Sequence, residues 1–157
     1  MISAATKEKV EALASAFPQR RSGLMPALHL IQQESGYISP EATVFLSQVF
    51  ELSRAQIHET ITFYHMFRTR PAGRFIFQVC TNVSCMLRGS EEIMQTLSEI
   101  LGIQPGETTP DGQFTLQETE CLAACGAAPV VQLNEEYLEH VTCRQIRELI
   151  AELRKES

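Results

Sequence analysis

Tryptophan is missing altogether, and no apolar run comes near the roughly 20 residues that a membrane-spanning helix needs. The N-terminal stretch MISAATKEKVEALASAF alternates charge with small residues and offers no signal-peptide core, so a soluble, intracellular protein is expected. Bases are few: 13 Lys and Arg stand against 19 Asp and Glu, for a formal net charge of -6. They are scattered along the chain and form no stripe that could follow a phosphate backbone, which argues against a nucleic-acid partner. The eight glycines include no G-x-G-x-x-G after a strand, so no dinucleotide fold is expected on this chain. The five cysteines include no C-x-x-C, the pattern a dithiol redox enzyme would place at a helix start. An odd cysteine count without an export signal also sits badly with a disulfide framework, because intracellular thiols are kept reduced. Metal or redox chemistry on thiolates is what these absences leave.

What is present is enough for a real core: 157 residues with 44% hydrophobic content suit one compact domain or two small packed units. From residue 6 to about 68 the periodicity is helical. Val10, Leu13, Ala14 and Phe17 make one stripe before Pro18 stops the helix, and Leu24, Leu28 and Ile31 make a second behind a Ser22 cap, closed by Gly36. Ser39-Pro40 opens a third helix carrying Val44, Phe45, Val49 and Phe50. Ser53 and Gln56 form a capping box for a fourth, which bears Ile57, Ile61 and Tyr64.

At Pro71-Ala-Gly73 the period changes. Arg74 to Cys80, RFIFQVC, reads as a buried strand. A helix runs from Ser90 to a closing Gly102, and Phe114 with Leu116 alternates like a half-buried strand. A hairpin follows, with Val130–Leu133 and Tyr137–Val141 flanking Asn134-Glu135-Glu136, and Thr142 with Gln145 caps a last helix carrying Ile146, Leu149, Ile150 and Leu153. There is no internal repeat or low-complexity linker. The expected fold class is α+β, with a helical bundle over residues 1–72 and a strand-containing domain over 73–157.

The chemistry lies in two cysteine pairs. Cys80 and Cys85 sit in C-T-N-V-S-C and Cys121 and Cys125 in C-L-A-A-C, each pair after a predicted strand. A [2Fe-2S] rhomb takes two thiolates on each iron, and two loops at one end of a sheet can each present a pair. Ala123, Ala124, Gly126, Ala127 and Ala128 are small, which lets backbone N–H groups approach the sulfur atoms. Four thiolates would also satisfy a structural zinc, although zinc knuckles prefer a two-residue gap within each pair. Cys143 stands alone at the start of the last helix and reads as a packing residue. His29, His58, His65 and His140 lie outside the cysteine loops, so a Rieske-type site is not expected. Tyr64, Met66 and Phe67 form an aromatic and thioether patch that suits helix packing or the docking of a partner.

Several of these segments together carry a family resemblance: ETITFYHMF at Glu59–Phe67, PAGR at Pro71–Arg74, the run from Val79-Cys80 through Ser84-Cys85-Met-Leu-Arg-Gly89, GIQPGETTPDG at Gly102–Gly112 and ECLAAC at Glu120–Cys125. In order and spacing the chain resembles the small [2Fe-2S] subunit of the NADH-dehydrogenase module of respiratory complex I. The resemblance implies a thioredoxin-like ferredoxin domain behind the helical segment, with Cys80, Cys85, Cys121 and Cys125 as the four cluster ligands and Cys143 outside the pattern. It implies electron transfer next to a larger flavoprotein subunit that binds FMN and NADH, other iron–sulfur subunits as further partners, and a place on the cytoplasmic face, peripheral to the inner membrane through the complex. Similar subunits serve NAD-linked hydrogenases and formate dehydrogenases, which stand as the alternative parents; a zinc-stabilised interaction module is the alternative from another class. The family's second pair commonly reads C-L-G-x-C, and Ala123 departs from it.

Overall fold

The computed structural model describes residues 2–155. The chain forms two compact units, Met1–Pro71 and Ala72–Ser157.

In the first unit, Ser3 caps α1 (Ala4–Ala16) by accepting from the Thr6 N–H. A short 3₁₀ turn, Arg20–Gly23, leads into α2 (Leu24–Ser35). Ser22, expected as the cap of α2, lies inside that turn, and Gly23 takes the cap position without a side-chain bond. The reason is steric: a Cβ on Gly23 would lie 2.6 Å from the Leu13 carbonyl oxygen, so the chain approaches α1 closely here and only glycine fits. Gly36 ends α2 in the left-handed conformation, φ 79°, as expected. Ser39 and Pro40 open α3 (Pro40–Phe50), and the reciprocal capping box of Ser53 and Gln56 opens α4 (Arg54–Phe63).

The buried stripe of α3 is Ala42, Leu46 and Phe50, spaced i, i+4, i+8, whereas Val44 is exposed and Phe45 and Val49 only flank the core. Phe17 is exposed rather than part of the α1 stripe, because the helix ends before it at Ala16. Likewise Phe67 is buried against His29, at 5.0 Å between ring centroids, while Phe63 is 78% exposed. The outward patch at the end of α4 is therefore Phe63, Tyr64 and Met66.

In the second unit a four-stranded sheet has the order β2-β1-β3-β4, built from β1 (Phe75–Cys80), β2 (Phe114–Thr119), β3 (Val131–Leu133) and β4 (Glu136–Leu138). β1 and β2 are parallel, joined through α5 (Val83–Met86) and α6 (Ser90–Leu101), and β3 and β4 add antiparallel. Glu136 belongs to β4, so the hairpin turn is Asn134-Glu135 and shorter than expected; Asn134 takes φ 54° and bonds Ile76 through both its N–H and its side-chain oxygen. α7 (Cys143–Leu153) starts on the Thr142–Gln145 capping box. Phe75, Phe77 and Val79 point to one face of β1, where they pack with Ile93 and Leu97 of α6 and Ile146 and Ile150 of α7. That core holds in place the sheet whose strand ends lead into the cysteine loops.

Candidate functional site

The parallel register of β1 and β2 decides where the cysteine loops meet. Phe75 pairs with Phe114 and Cys80 with Thr119, so both strands end at the same level, and the chain leaves each toward the same end of the sheet. The Thr81 N–H and hydroxyl both bond the Thr119 carbonyl, at 3.0 and 3.3 Å, and the Cys80 N–H bonds the Val130 carbonyl at 3.2 Å. Two loops are thereby pinned side by side: 81–89, containing α5 with Cys85, and 120–130, containing Cys121 and Cys125.

Cys80 and Cys85 are buried and share an apolar wall with Leu122, Ala128 and Val130. Cys121 and Cys125 are exposed, and Cys125 begins a 3₁₀ turn, Cys125–Ala127. The Ala128–Pro129 peptide bond is cis. The four thiols neighbour one another in the sequence Cys121, Cys80, Cys85, Cys125. Burial opposes ionisation of Cys80, yet the backbone N–H groups of Asn82 and Leu122, with the thiols of Cys85 and Cys121, outweigh it and hold this thiol below its ordinary value. Burial pushes the Cys85 thiol up; the Val130 backbone N–H works against this, while Cys80 and Cys125 add to it. The Ala123 N–H donates to the Cys121 Sγ at 3.3 Å.

Four sulfur atoms with backbone donors directed at three of them form a donor set that suits a thiolate-held cluster, since N–H···S bonds stabilise negative charge on sulfur. Among the described residues no group of three or more His, Cys, Asp or Glu side chains is gathered as the shell of one ion. A binuclear cluster divides its four thiolates between two irons, so a single-ion shell is not what it requires. Cys143 lies apart from this group, half-buried against the core around α6 and α7.

Several contributors to the site carry no sequence signal. The donors from Asn82, Leu122 and Val130 are backbone groups, which almost any residue type could supply. Arg88 lines a cavity of about 270 Å³ together with Ser84, Leu87, Cys125, Gly126 and Ala128. Gly126 is not needed for steric reasons within the chain, since a Cβ there would meet nothing within 4 Å.

Ala123 is the informative departure. Its φ is 58°, in the left-handed region that glycine enters freely and alanine only at a cost of about 1 kcal/mol or more. The loop keeps the turn that a glycine would favour, although the residue does not. Ala123→Gly is accordingly expected to stabilise the protein by about 0.5 kcal/mol, the relieved strain slightly exceeding the added freedom of the unfolded chain. Ala124→Gly, at φ -113°, should instead lower stability. Urea titrations of both variants check this, and an Ala123→Gly midpoint depressed as far as that of Ala124→Gly would refute it.

A model of the thioredoxin-like [2Fe-2S] ferredoxin family matches residues 10–154. An NADH-quinone oxidoreductase subunit of Rhizobium meliloti is 43% identical over 148 residues, covering 94% of this chain and 88% of that protein. An NADH-quinone oxidoreductase subunit of Mycobacterium bovis is 42% identical over 141 residues, covering 90% of this chain but 56% of the relative's length. Among solved structures, an NAD+-reducing [NiFe]-hydrogenase in the air-oxidized state superposes with a TM-score of 0.73 at 28% identity, over 85% of this chain and 23% of that one.

Proposed function

The chain belongs to the thioredoxin-like [2Fe-2S] ferredoxin family, and from that premise we propose that Cys80, Cys85, Cys121 and Cys125 hold one [2Fe-2S] cluster and that the protein is an electron-transfer subunit of NADH:quinone oxidoreductase. The observation that carries this reading is the meeting of the two cysteine loops at one end of the parallel β1–β2 pair, with backbone N–H groups directed at the sulfur atoms. Identities of 43 and 42% to subunits of NADH-quinone oxidoreductase, against 28% to the NAD+-reducing hydrogenase, favour this parent complex over the hydrogenase-type alternative.

When bound, the cluster supplies reversible one-electron transfer with no bond made in a substrate. The protein's part is to hold and to tune. Cys80 and Cys85 anchor from inside, where Leu122, Ala128 and Val130 keep water from the sulfur atoms. The N–H groups of Asn82, Leu122 and Ala123 stabilise the negative charge that accumulates on Cys80 and Cys121. Cys121 and Cys125 stand on the exposed side, from which an external electron donor or acceptor is reached. We assign FMN and NADH to a larger flavoprotein partner, with other iron–sulfur subunits completing the assembly. Among the described residues no helix is long and apolar enough to cross a membrane, which fits attachment to the inner membrane through the complex. Residues 1–72 and 73–157 act in this reading as a helical domain and a ferredoxin domain.

The direct test is iron and acid-labile sulfide on protein purified without oxygen, followed by EPR after dithionite reduction. About two irons and two sulfides per chain with a rhombic S = 1/2 signal are expected. Stoichiometric zinc without labile sulfide would replace the electron-transfer reading with a structural interaction module.

A further inference from the structure

Arg88 follows the buried Cys85 by three residues, and its backbone N–H bonds the Cys85 carbonyl at 3.1 Å, which ties it to the cluster loop. It lines the cavity that contains Cys125, Ser84, Leu87, Gly126 and Ala128, and no carboxylate shares that lining. The two ion pairs found among the described residues are Arg20–Glu51 and Arg144–Glu148, so Arg88 has no salt-bridge partner there. A guanidinium stays charged at any working pH. The rest of the chain is acidic, at a net charge of -6, and that background disfavours adding an electron. A permanent cation on the wall of a cavity that also contains Cys125 acts against it.

We propose that Arg88 is a positioning charge for electron transfer, raising the midpoint potential of the cluster by stabilising its reduced state. The proposal rests on the ligand assignment made above. The step it modifies is a one-electron reduction, supplied in the test by dithionite through redox mediators; the cluster gains one negative charge, and no bond forms or breaks. Because Arg88 is exposed, solvent screens its charge and the effect is modest.

The test is an EPR-monitored redox titration of the full chain with its cluster, comparing wild type with Arg88→Gln, Arg88→Lys and Arg88→Glu at low ionic strength. Arg88→Gln is expected to reduce the ratio of reduced to oxidised cluster at fixed poise by roughly threefold. At about 59 mV per tenfold for one electron, that is a fall of about 28 mV. Arg88→Lys should restore the wild-type value and Arg88→Glu should roughly double the fall, with all differences shrinking in 1 M salt as the Debye length contracts to about 3 Å. Unchanged g-values and iron content identify the effect as electrostatic. A potential that does not move in Arg88→Gln, or loss of the cluster in that variant, overturns the proposal, the latter by making Arg88 a holding residue. Absence of labile sulfide from the wild type would be a different failure, that of the ligand assignment itself.

Discussion

Cys121→Ser is expected to lose most of its iron and sulfide, while Cys143→Ser keeps both. In the proposed site each iron has two protein thiolates, so removing one leaves a three-coordinate iron open to water and oxygen. Cys121 is exposed, and the serine hydroxyl that replaces it ionises far less readily than a thiol, so it is a poor substitute for the thiolate. The Ala123 N–H, which donates to the Cys121 sulfur at 3.3 Å, can donate to the serine oxygen instead, so what the substitution removes is the thiolate ligand and not the loop's own hydrogen bond. Cys80→Ala should be at least as damaging, because Cys80 sits between Cys85 and Cys121 and receives backbone donors from Asn82 and Leu122. Cys143, half-buried against the core near α6 and α7, lies outside the thiol group, so its replacement touches packing only. Iron and sulfide analysis of the three variants purified without oxygen reads the outcome. Equal retention in Cys121→Ser and Cys143→Ser would defeat the ligand assignment, whatever the wild type contains.

Phe77→Ala should destabilise the second unit by about 3–5 kcal/mol, the range for truncating a fully buried aromatic ring. Phe77 is 0% exposed at the centre of β1, with β2 on one side and β3 on the other, and its ring lies 6.3 Å from that of Phe114 in a stacked arrangement. The lost ring leaves a cavity between the sheet and the helices α6 and α7, in a close-packed core that relaxes only partly to fill it. For a unit of this size the loss corresponds to a fall of more than about 10 °C in melting temperature. Phe63→Ala, at a ring 78% exposed, is the matched control and should change stability by no more than about 0.5 kcal/mol. Chemical unfolding followed by far-UV circular dichroism compares the two, and a Phe77→Ala loss below about 1 kcal/mol would contradict this account of the core.

Sequence alone determined the features that depend on neighbouring residues. The capping boxes at Ser53–Gln56 and Thr142–Gln145, the Ser39-Pro40 start and the Gly36 and Gly102 ends are short-range hydrogen bonding and backbone freedom, and all stand where the residues put them. The apolar run that became β1 and the two cysteine pairs at the ends of β1 and β2 were legible for the same reason. Tertiary structure decided what depends on residues far apart in the chain. Gly23 rather than Ser22 begins α2 because Leu13 lies against it; Leu46 rather than Val44 is buried because of the helices that α3 meets; Phe67 turns inward and leaves Phe63 outside because α4 ends between them. The left-handed Ala123 and the nearness of Arg88 to Cys125 likewise arise only once the loops are folded together. Periodicity states that a segment has an apolar face, whereas the angle at which that face meets its neighbours is a property of the packed whole. The thiols were identifiable as candidate ligands by type and spacing, but their approach required the parallel register of β1 and β2, set by a core of phenylalanines and leucines that carries no chemical signature of the site.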